Sequence, residues 1–168
     1  MPCQGKGGTK YQRVYNEFMS DCIFCKIING SSPAHKIWED DKHIAFLTIF
    51  PNTPGFTVLA TKKHLPSYFA DNDDQTLSNF IVAAKKVAKL IDAGFNDVGR
   101  TGLIAEGFGV DHLHLKLFPM HGTKTDKWQQ HNSQIKKTFD KYEGYISSHD
   151  GPRADDEELS KIAAKIKL

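Results

Sequence analysis

The sequence predicts an α+β domain built around an antiparallel sheet. Three observations support this prediction: two β-rich runs flank a short polar turn, one long amphipathic segment follows a third such run, and two further β-rich runs follow that segment. The predicted order is helix, three strands, helix, two strands, whereas a doubly wound parallel sheet alternates strands with helices. We therefore expect one long helix and a short N-terminal helix packed on an antiparallel sheet.

The first half of the chain predicts the short helix and three strands. CIFCKII (22–28) is the candidate helix, because the breaker cluster NGSSP (29–33) follows it directly. Three runs rich in β-branched and aromatic residues come next: HKIWED (35–40), HIAFLTI (43–49) and FTVLATKKHL (56–65). The turn-forming residues Asp40, Asp41 and Lys42 between the first two runs predict a hairpin.

The second half predicts the long helix and two more strands. Within residues 73–95 the leading aspartates suit a helix start and Gly94 suits its end. Apolar residues recur there at helical spacing, namely Leu77, Phe80, Ile81, Ala84, Val87, Ala88 and Ile91. RTGLIAE (100–106) and VDHLHLKLF (110–118) are the two short strands, and a Gly-Phe-Gly turn separates them.

At 168 residues the chain has the size of one ordinary domain with tails. We divide it into an N-terminal extension (1–20), one domain (21–121) and a C-terminal extension (122–168). In the last of these, YISSHDG (145–151) is a candidate strand. A terminal helix is expected from Asp155 or Asp156, because acidic residues crowd its first turn and one face is apolar, with Leu159, Ile162, Ala163 and Ile166.

Composition excludes several classes of protein. The formal net charge of +2 is too small to favour binding to DNA. Apolar runs such as AFLTIF (45–50) are far shorter than the ~20 residues that a membrane helix needs. The polar N-terminus lacks the apolar core of a secretory signal, so we expect a cytoplasmic protein. In a reducing compartment the Cys22/Cys25 pair favours metal binding or redox chemistry over a structural disulfide.

The stretch HLHLKLFPMH (112–121) carries the candidate chemistry. On a strand His112, His114 and Lys116 share one face, spaced by roughly 7 Å, while the intervening leucines point to the other face. One interpretation is a reactive strand that meets a phosphate group. The other is an amphipathic strand whose two histidines merely face solvent.

Together these motifs resemble the histidine triad family. The resemblance covers about 100 residues, from DCIFCKIINGSSPAHKIWEDDKHIAFLTIFPNTPGFTVLATKKH through the amphipathic helix to the H-x-H strand. It implies a HIT-like fold and a homodimer that binds a purine nucleotide or a related phosphate ester. It also implies hydrolysis or transfer of nucleoside monophosphate groups through a covalent nucleotidyl-histidine. His114 matches the nucleophile, a role that suits a neutral imidazole.

A zinc-containing, bacterial-type branch of the family supplies a second expectation. Its ligand positions correspond here to Cys22, Cys25, His64 and His112. Two thiolates and two imidazoles form a closed tetrahedral set, which is typical of structural zinc. His112 would then brace the catalytic strand. The alternative is that the cysteines are two small buried thiols and His64 an exposed histidine at a strand end.

The chain also departs from the family pattern. Lys116 stands where the third histidine is expected, either against phosphate oxygens or simply solvated. Thr48 replaces an aspartate that holds ribose, and Ala105 replaces an asparagine. A Gly-Gln-Ser segment that contacts phosphate aligns with Gly107, Phe108 and Gly109. Each change removes a polar contact from the expected nucleotide site.

Other expected site residues are apolar or lie in loops. Phe24, Phe46 and Ile49 match the apolar wall around a base, whereas for Ile23 we favour packing in the core. His121 is a candidate replacement for the missing proton donor, although loop histidines are commonly solvated. His149 lies in the C-terminal tail, where the sequence does not place it.

Three functions are therefore weighed. The first is a nucleotide hydrolase or nucleotidyltransferase in which His114 attacks, His112 braces the strand and Lys116 contacts phosphate. The second is a nucleotide-binding module that has lost useful catalysis, as the missing polar contacts would suggest. The third is a zinc-stabilised interaction domain that binds no nucleotide.

Overall fold

The computed structural model of the chain describes residues 21–147 together with Asp155 and Glu157. The helices are α1 (Ile23–Ile28) and α2 (Asp74–Gly94), with a 3-10 turn at Phe69–Asp71 before α2. The strands are β1 (His35–Glu39), β2 (His43–Leu47), β3 (Thr57–Thr61), β4 (Thr101–Ile104) and β5 (His114–Pro119). This is the predicted order of elements.

The five strands form one antiparallel sheet in the order β1-β2-β3-β5-β4. The predicted α+β class is therefore confirmed. β5 is the last strand in sequence but lies inside the sheet, where Ala60 of β3 pairs with His114 and Ile104 of β4 pairs with Lys116. The β1 and β4 strands form the two edges.

Helix α2 covers one face of the sheet. The Asp73 carboxylate caps its N-terminus by accepting hydrogen bonds from the Thr76 backbone N–H at 2.9 Å and the Thr76 hydroxyl at 2.7 Å. Its apolar stripe then packs on buried residues of β3 and β5. This core includes Leu59, Phe80, Ala84, Val87, Ile91, Leu113, Leu115 and Leu117. Burying each larger side chain contributes about 1.5–3 kcal/mol.

The other face of the sheet packs against α1. Phe24 from this short helix lies on Ile44, Phe46, Val58 and Ala60. Since side chains alternate along β5, its leucines enter the core beneath α2, while His114 lies on the α1 side. The two faces thus separate packing from the candidate chemistry.

Two details of the predicted strand 110–118 differ from the structure. β5 begins at His114, because the backbone N–H of His112 bonds to the Val110 carbonyl at 2.9 Å and that of Leu113 to the Leu65 carbonyl at 2.9 Å. The chain therefore turns before it enters the sheet. The alternative interpretation, in which the two histidines face solvent, is wrong, since His112 and His114 are both buried.

Among the described residues, those up to Asp126 form one compact unit and those from Lys127 form a second. In the part of the second unit that the structure describes, Lys127–Ser147 contain no helix or strand, so residues 145–147 do not form the start of a strand. The expected terminal helix, His149 and the N-terminal extension 1–20 lie outside the described residues, apart from Asp155 and Glu157. The domain boundary at residue 121 stays a prediction.

No helix among the described residues is long and apolar enough to cross a membrane.

Candidate functional site

The structure brings four predicted ligands together from distant parts of the chain. One donor atom from each of Cys22, Cys25, His64 and His112 lies within 4.8 Å of the others. The Cys22 Sγ and His112 Nδ1 atoms are 3.4 Å apart, and the Cys25 Sγ atom is 3.4 Å from His64 Nδ1 and 3.6 Å from His112 Nδ1. Such a set of sulfur and nitrogen donors can hold a metal ion.

His112 is oriented for this role by its second ring nitrogen. The Nε2–H group donates to the Thr61 carbonyl over 2.6 Å, which leaves the Nδ1 lone pair directed at the sulfur atoms. Burial lowers the pKa of His112 to about 4, so its imidazole is neutral near pH 7. Burial also raises the pKa of the Cys25 thiol to about 11, so a thiolate at this place requires a cation beside it.

His114 is held in one tautomer beside this cluster. Its Nδ1–H group donates to the backbone carbonyl of His112 over 2.7 Å, so the lone pair lies on Nε2. The ring lies 5.3 Å from that of Phe24 in an edge arrangement. Burial lowers the pKa of His114, which keeps the imidazole neutral near pH 7. A neutral, fixed imidazole is suited to act as a nucleophile.

A cavity of about 590 Å³ opens beside His114. Most of the expected nucleotide contacts line it: Phe24, Phe46, Thr48, Ile49, Phe108 and Gly109, together with Lys116. Ile23 also lines the cavity and is 43% exposed, so the expectation of core packing is wrong for this residue. The lining further includes Phe50 and Phe56, which sequence reasoning missed. Nothing in a loop sequence shows which phenylalanines turn toward a pocket.

Two positions of the expected nucleotide site do not line the cavity. Gly107 is not among the residues that line the cavity. It has a positive φ of 68°, and a Cβ atom there would lie 2.9 Å from the Ser67 carbonyl oxygen, so the position packs against backbone. Ala105, at the position of the family asparagine, packs against the core beneath α2.

Lys116 has an acidic partner that the sequence analysis did not identify. Its ammonium forms an ion pair with the Glu106 carboxylate, and the Glu106 side chain is only 9% exposed. Lys116 is thus neither simply solvated nor wholly available to a ligand. The sequence IAEGFG (104–109) does contain this acidic residue. However, only the pairing of Ile104 with Lys116 across the sheet shows that Glu106 lies beside the lysine.

His121 does not line the cavity, although we considered it as a replacement proton donor. Its Nδ1 contacts both carboxylate oxygens of Asp97 at 3.1 Å, and its Nε2 lies 3.0 Å from the Pro54 carbonyl. The Pro54 carbonyl and the Asp97 carboxylate raise the pKa of His121. This histidine therefore ties three loops together.

The chain is similar to proteins of one known family. The HIT domain family model matches residues 29–123. An uncharacterized HIT-like protein of Methanocaldococcus jannaschii is 39% identical over 104 residues, which is 60% of this chain and 79% of that protein. The adenosine 5′-monophosphoramidase of Schizosaccharomyces pombe is 34% identical over 99 residues, 58% of this chain and 73% of that protein. A crystal structure of a HIT family protein from Bacillus anthracis is 30% identical, with a TM-score of 0.56, and covers 87% of this chain and 94% of that one.

Proposed function

The chain belongs to the HIT domain family, and on that premise we propose that it cleaves a nucleoside monophosphate group, preferably of a purine nucleotide, from a phosphate ester or phosphoramidate. The name of the S. pombe relative, an adenosine 5′-monophosphoramidase, supports the substrate class. The observation that carries the proposal is the hydrogen bond from His114 Nδ1–H to the His112 carbonyl at 2.7 Å, because it fixes a lone pair on Nε2 of a residue that lines the cavity.

The proposed reaction has two displacements at phosphorus. The His114 Nε2 lone pair attacks the α-phosphorus, an N–P bond forms, and the bond to the leaving group breaks with its electron pair on that group, which then takes up a proton. Water or another acceptor next attacks phosphorus and loses a proton, and the N–P bond breaks with its electrons returning to the imidazole. Splitting one displacement into two lowers each barrier. Lys116, paired with Glu106, would balance charge on the phosphate oxygens.

The four-residue cluster would hold a structural zinc ion. A tetrahedral ion with bonds of about 2.3 Å to sulfur and 2.0–2.1 Å to nitrogen places neighbouring donors about 3.5 Å apart. Three of the sulfur–nitrogen separations are 3.4–3.6 Å, and all four donor atoms lie within 4.8 Å of one another, which suits such an ion. When bound, zinc supplies a crosslink between the start of α1 and the residue that orients His114.

We also propose a homodimer formed through the β4 edge and the exposed side of α2. Leu103 on this edge strand is 43% exposed. Ile81, Val82 and Leu90 on α2 are about half exposed as well. Exposed apolar residues on an unpaired edge and its neighbouring helix favour an interface. Sedimentation equilibrium tests this proposal, since a mass of one chain at micromolar concentration would contradict it.

The cytoplasmic location stays a prediction.

The decisive experiment is incubation of the purified protein with adenosine 5′-phosphoramidate. We expect release of AMP and, after acid-free denaturation, an acid-labile nucleotidyl adduct on His114 detected by mass spectrometry. His114→Ala should abolish both while AMP binding stays within a few-fold. The matched control is His35→Ala, which removes an exposed histidine of β1. Turnover by His114→Ala at the wild-type rate would contradict the proposal.

One observation favours a second candidate, a nucleotide-binding module without useful catalysis. Lys116 is already neutralised by Glu106, so less positive charge faces a transition state. In that case the phosphoramidate would bind with no turnover and no adduct. A thermal shift panel with AMP, GMP and UMP separates this candidate from an interaction domain that binds no nucleotide, for which no ligand should raise the melting temperature.

A further inference from the structure

A second cavity, of about 310 Å³, lies on the face of the sheet opposite His114. It is formed where β2 begins and β3 ends, and the first turns of α2 close one side through Thr76 and Asn79. His43 and Thr61, which pair across the two strands, form its floor. The proposed reaction at His114 gives this cavity no role.

His43 is held rigidly in the floor of this cavity. Its Nδ1 atom lies 3.0 and 3.2 Å from the two carboxylate oxygens of Asp40, and its ring stacks on Phe80 with centroids 5.5 Å apart and planes at 19°. Asp40 is itself fixed, because it accepts backbone N–H groups of Lys42 at 2.8 Å and His43 at 2.7 Å. The imidazole orientation is therefore set before any ligand arrives.

The second ring nitrogen of His43 is left for a ligand. The side chain is only 5% exposed, and no described residue pairs with its Nε2 atom. Since no fully buried polar side-chain atom in the described residues lacks a partner, Nε2 is reached from the cavity that the residue lines. An imidazole nitrogen that the cavity reaches and that no described residue contacts is available to a ligand there.

The surrounding charges select the sign of that partner. Lys42, Lys62 and Lys63 all line the cavity, against one carboxylate, that of Asp41. Lys62 is partly neutralised by Glu39, whose carboxylate lies 3.0 Å from its ammonium. Asn79 adds amide N–H donors, because its side-chain oxygen already accepts from Gln75 at 3.1 Å. Asp40 beside His43 and Glu39, which also pairs with Lys36, offset part of this charge, so that four ammonium groups stand against three carboxylates.

We propose that this cavity is a binding site for a small anion that carries a phosphoryl or carboxylate group. The ammonium groups of Lys42 and Lys63 and the Asn79 amide hold the anion oxygens, and His43, whose Nδ1–H faces Asp40, donates from Nε2 in its doubly protonated state. The volume admits one anionic group with a small organic remainder. This proposal does not rest on the chemistry at His114.

Nuclear magnetic resonance of the histidine ring nitrogens tests the site at constant pH and ionic strength. Inorganic phosphate is titrated into the full chain as purified, and we expect a saturable shift of the His43 ring signals while those of exposed His35 stay fixed. Acetate in a parallel titration distinguishes the sources: a shift with phosphate alone assigns a phosphoryl group, and a shift with both assigns oxyanions in general. An equal shift with sodium chloride would overturn the proposal.

A pair of double variants provides the matched control. Lys42→Gln with Lys63→Gln should raise the Kd for phosphate, read at His43, by about tenfold or more. Lys26→Gln with Lys124→Gln removes the same charge from α1 and from the loop after β5, outside the cavity lining, and should leave that Kd within about twofold. Equal weakening by both pairs would mean that net charge alone attracts phosphate, and the site would be rejected. No shift of His43 in the wild-type protein would reject it directly.

Discussion

The backbone carbonyl of His112 accepts the Nδ1–H group of His114 over 2.7 Å, while the His112 imidazole belongs to the Cys/His cluster. One residue thus serves two sites through two different groups. Its side chain faces the sulfur atoms of the cluster, and its carbonyl fixes the tautomer of the proposed nucleophile. A shift of His112 must therefore change the orientation of His114, which couples the cluster to the chemistry.

The first prediction concerns the dependence of kcat/KM on pH. In the proposed reaction the neutral imidazole of His114 attacks, so activity should be lost as pH falls through its pKa in the folded protein. Burial lowers this pKa below the ordinary 6.5. We therefore expect the midpoint of the acid limb below pH 6.5, measured with adenosine 5′-phosphoramidate and corrected for spontaneous hydrolysis. A midpoint above 6.5 with metal still bound would contradict the assigned tautomer and burial.

The second prediction concerns removal of the metal. We expect about one zinc per chain by elemental analysis. A strong chelator should then lower the melting temperature, because bound metal stabilises the folded state by about 2.7 kcal/mol when its free concentration is 100 times Kd. Cys25→Ser should reproduce the loss, and Cys3→Ser, which lies outside the proposed ligand set, should not. Well-folded protein that contains no zinc and does not respond to the chelator would refute the site.

Much of the fold was predictable because its signals are local. The hairpin at residues 40–42, the capped helix α2 and the alternation of β5 each depend on residues close in sequence. The turn at His112 was not predictable, since it depends on a hydrogen bond from Leu113 to Leu65, far away in the chain. Burial of both histidines follows from the position of β5 inside the sheet, which alternation alone does not reveal.

In the candidate site, too, some features were predictable from the sequence and others depend on contacts between distant residues. The motif resemblance predicted the cluster and most of the cavity wall, because family motifs record which positions meet. It did not predict the partner of Lys116, since the third triad position and the preceding loop both depart from the family pattern. Nor did it predict that His121 bonds to Asp97 and Pro54, which come from two other loops. Such pairs follow only from strand register and loop packing.

The third prediction concerns the Glu106–Lys116 ion pair. Glu106→Gln leaves a half-buried ammonium without its carboxylate, so we expect the free energy of unfolding to fall by about 1–3 kcal/mol, between the values for exposed and buried pairs. Chemical denaturation of this variant, of Lys116→Met and of the double variant gives the coupling energy. Additive losses would show that the two side chains do not interact. If Lys116 also contacts phosphate, Lys116→Met lowers kcat whereas Glu106→Gln changes kcat less.

The fourth prediction concerns the sugar of the substrate. Among the described residues that line the cavity beside His114, none carries a carboxylate or amide side chain, and the hydroxyl of Thr48 already accepts the Phe50 backbone N–H at 3.2 Å. Ser32 adds one further hydroxyl, so the ribose of the proposed substrate would meet hydroxyls but no carboxylate or amide side chain. We expect adenosine and 2′,3′-dideoxyadenosine 5′-phosphoramidates to have kcat/KM values within about threefold, whereas a site built to bind a hydroxyl rejects the analogue by about 10⁴-fold or more.

The variant Thr48→Asp should prefer the ribose substrate to the dideoxy analogue, because a carboxylate at the cavity wall can accept hydrogen bonds from both ribose hydroxyls. We expect its kcat/KM ratio of ribose to dideoxy substrate to rise about tenfold, which corresponds to about 1.4 kcal/mol. Thr48→Val is the matched control, with a similar shape and no acceptor, and should leave the ratio near one. A wild-type preference of 100-fold or more for ribose would show that groups outside the described lining hold the sugar.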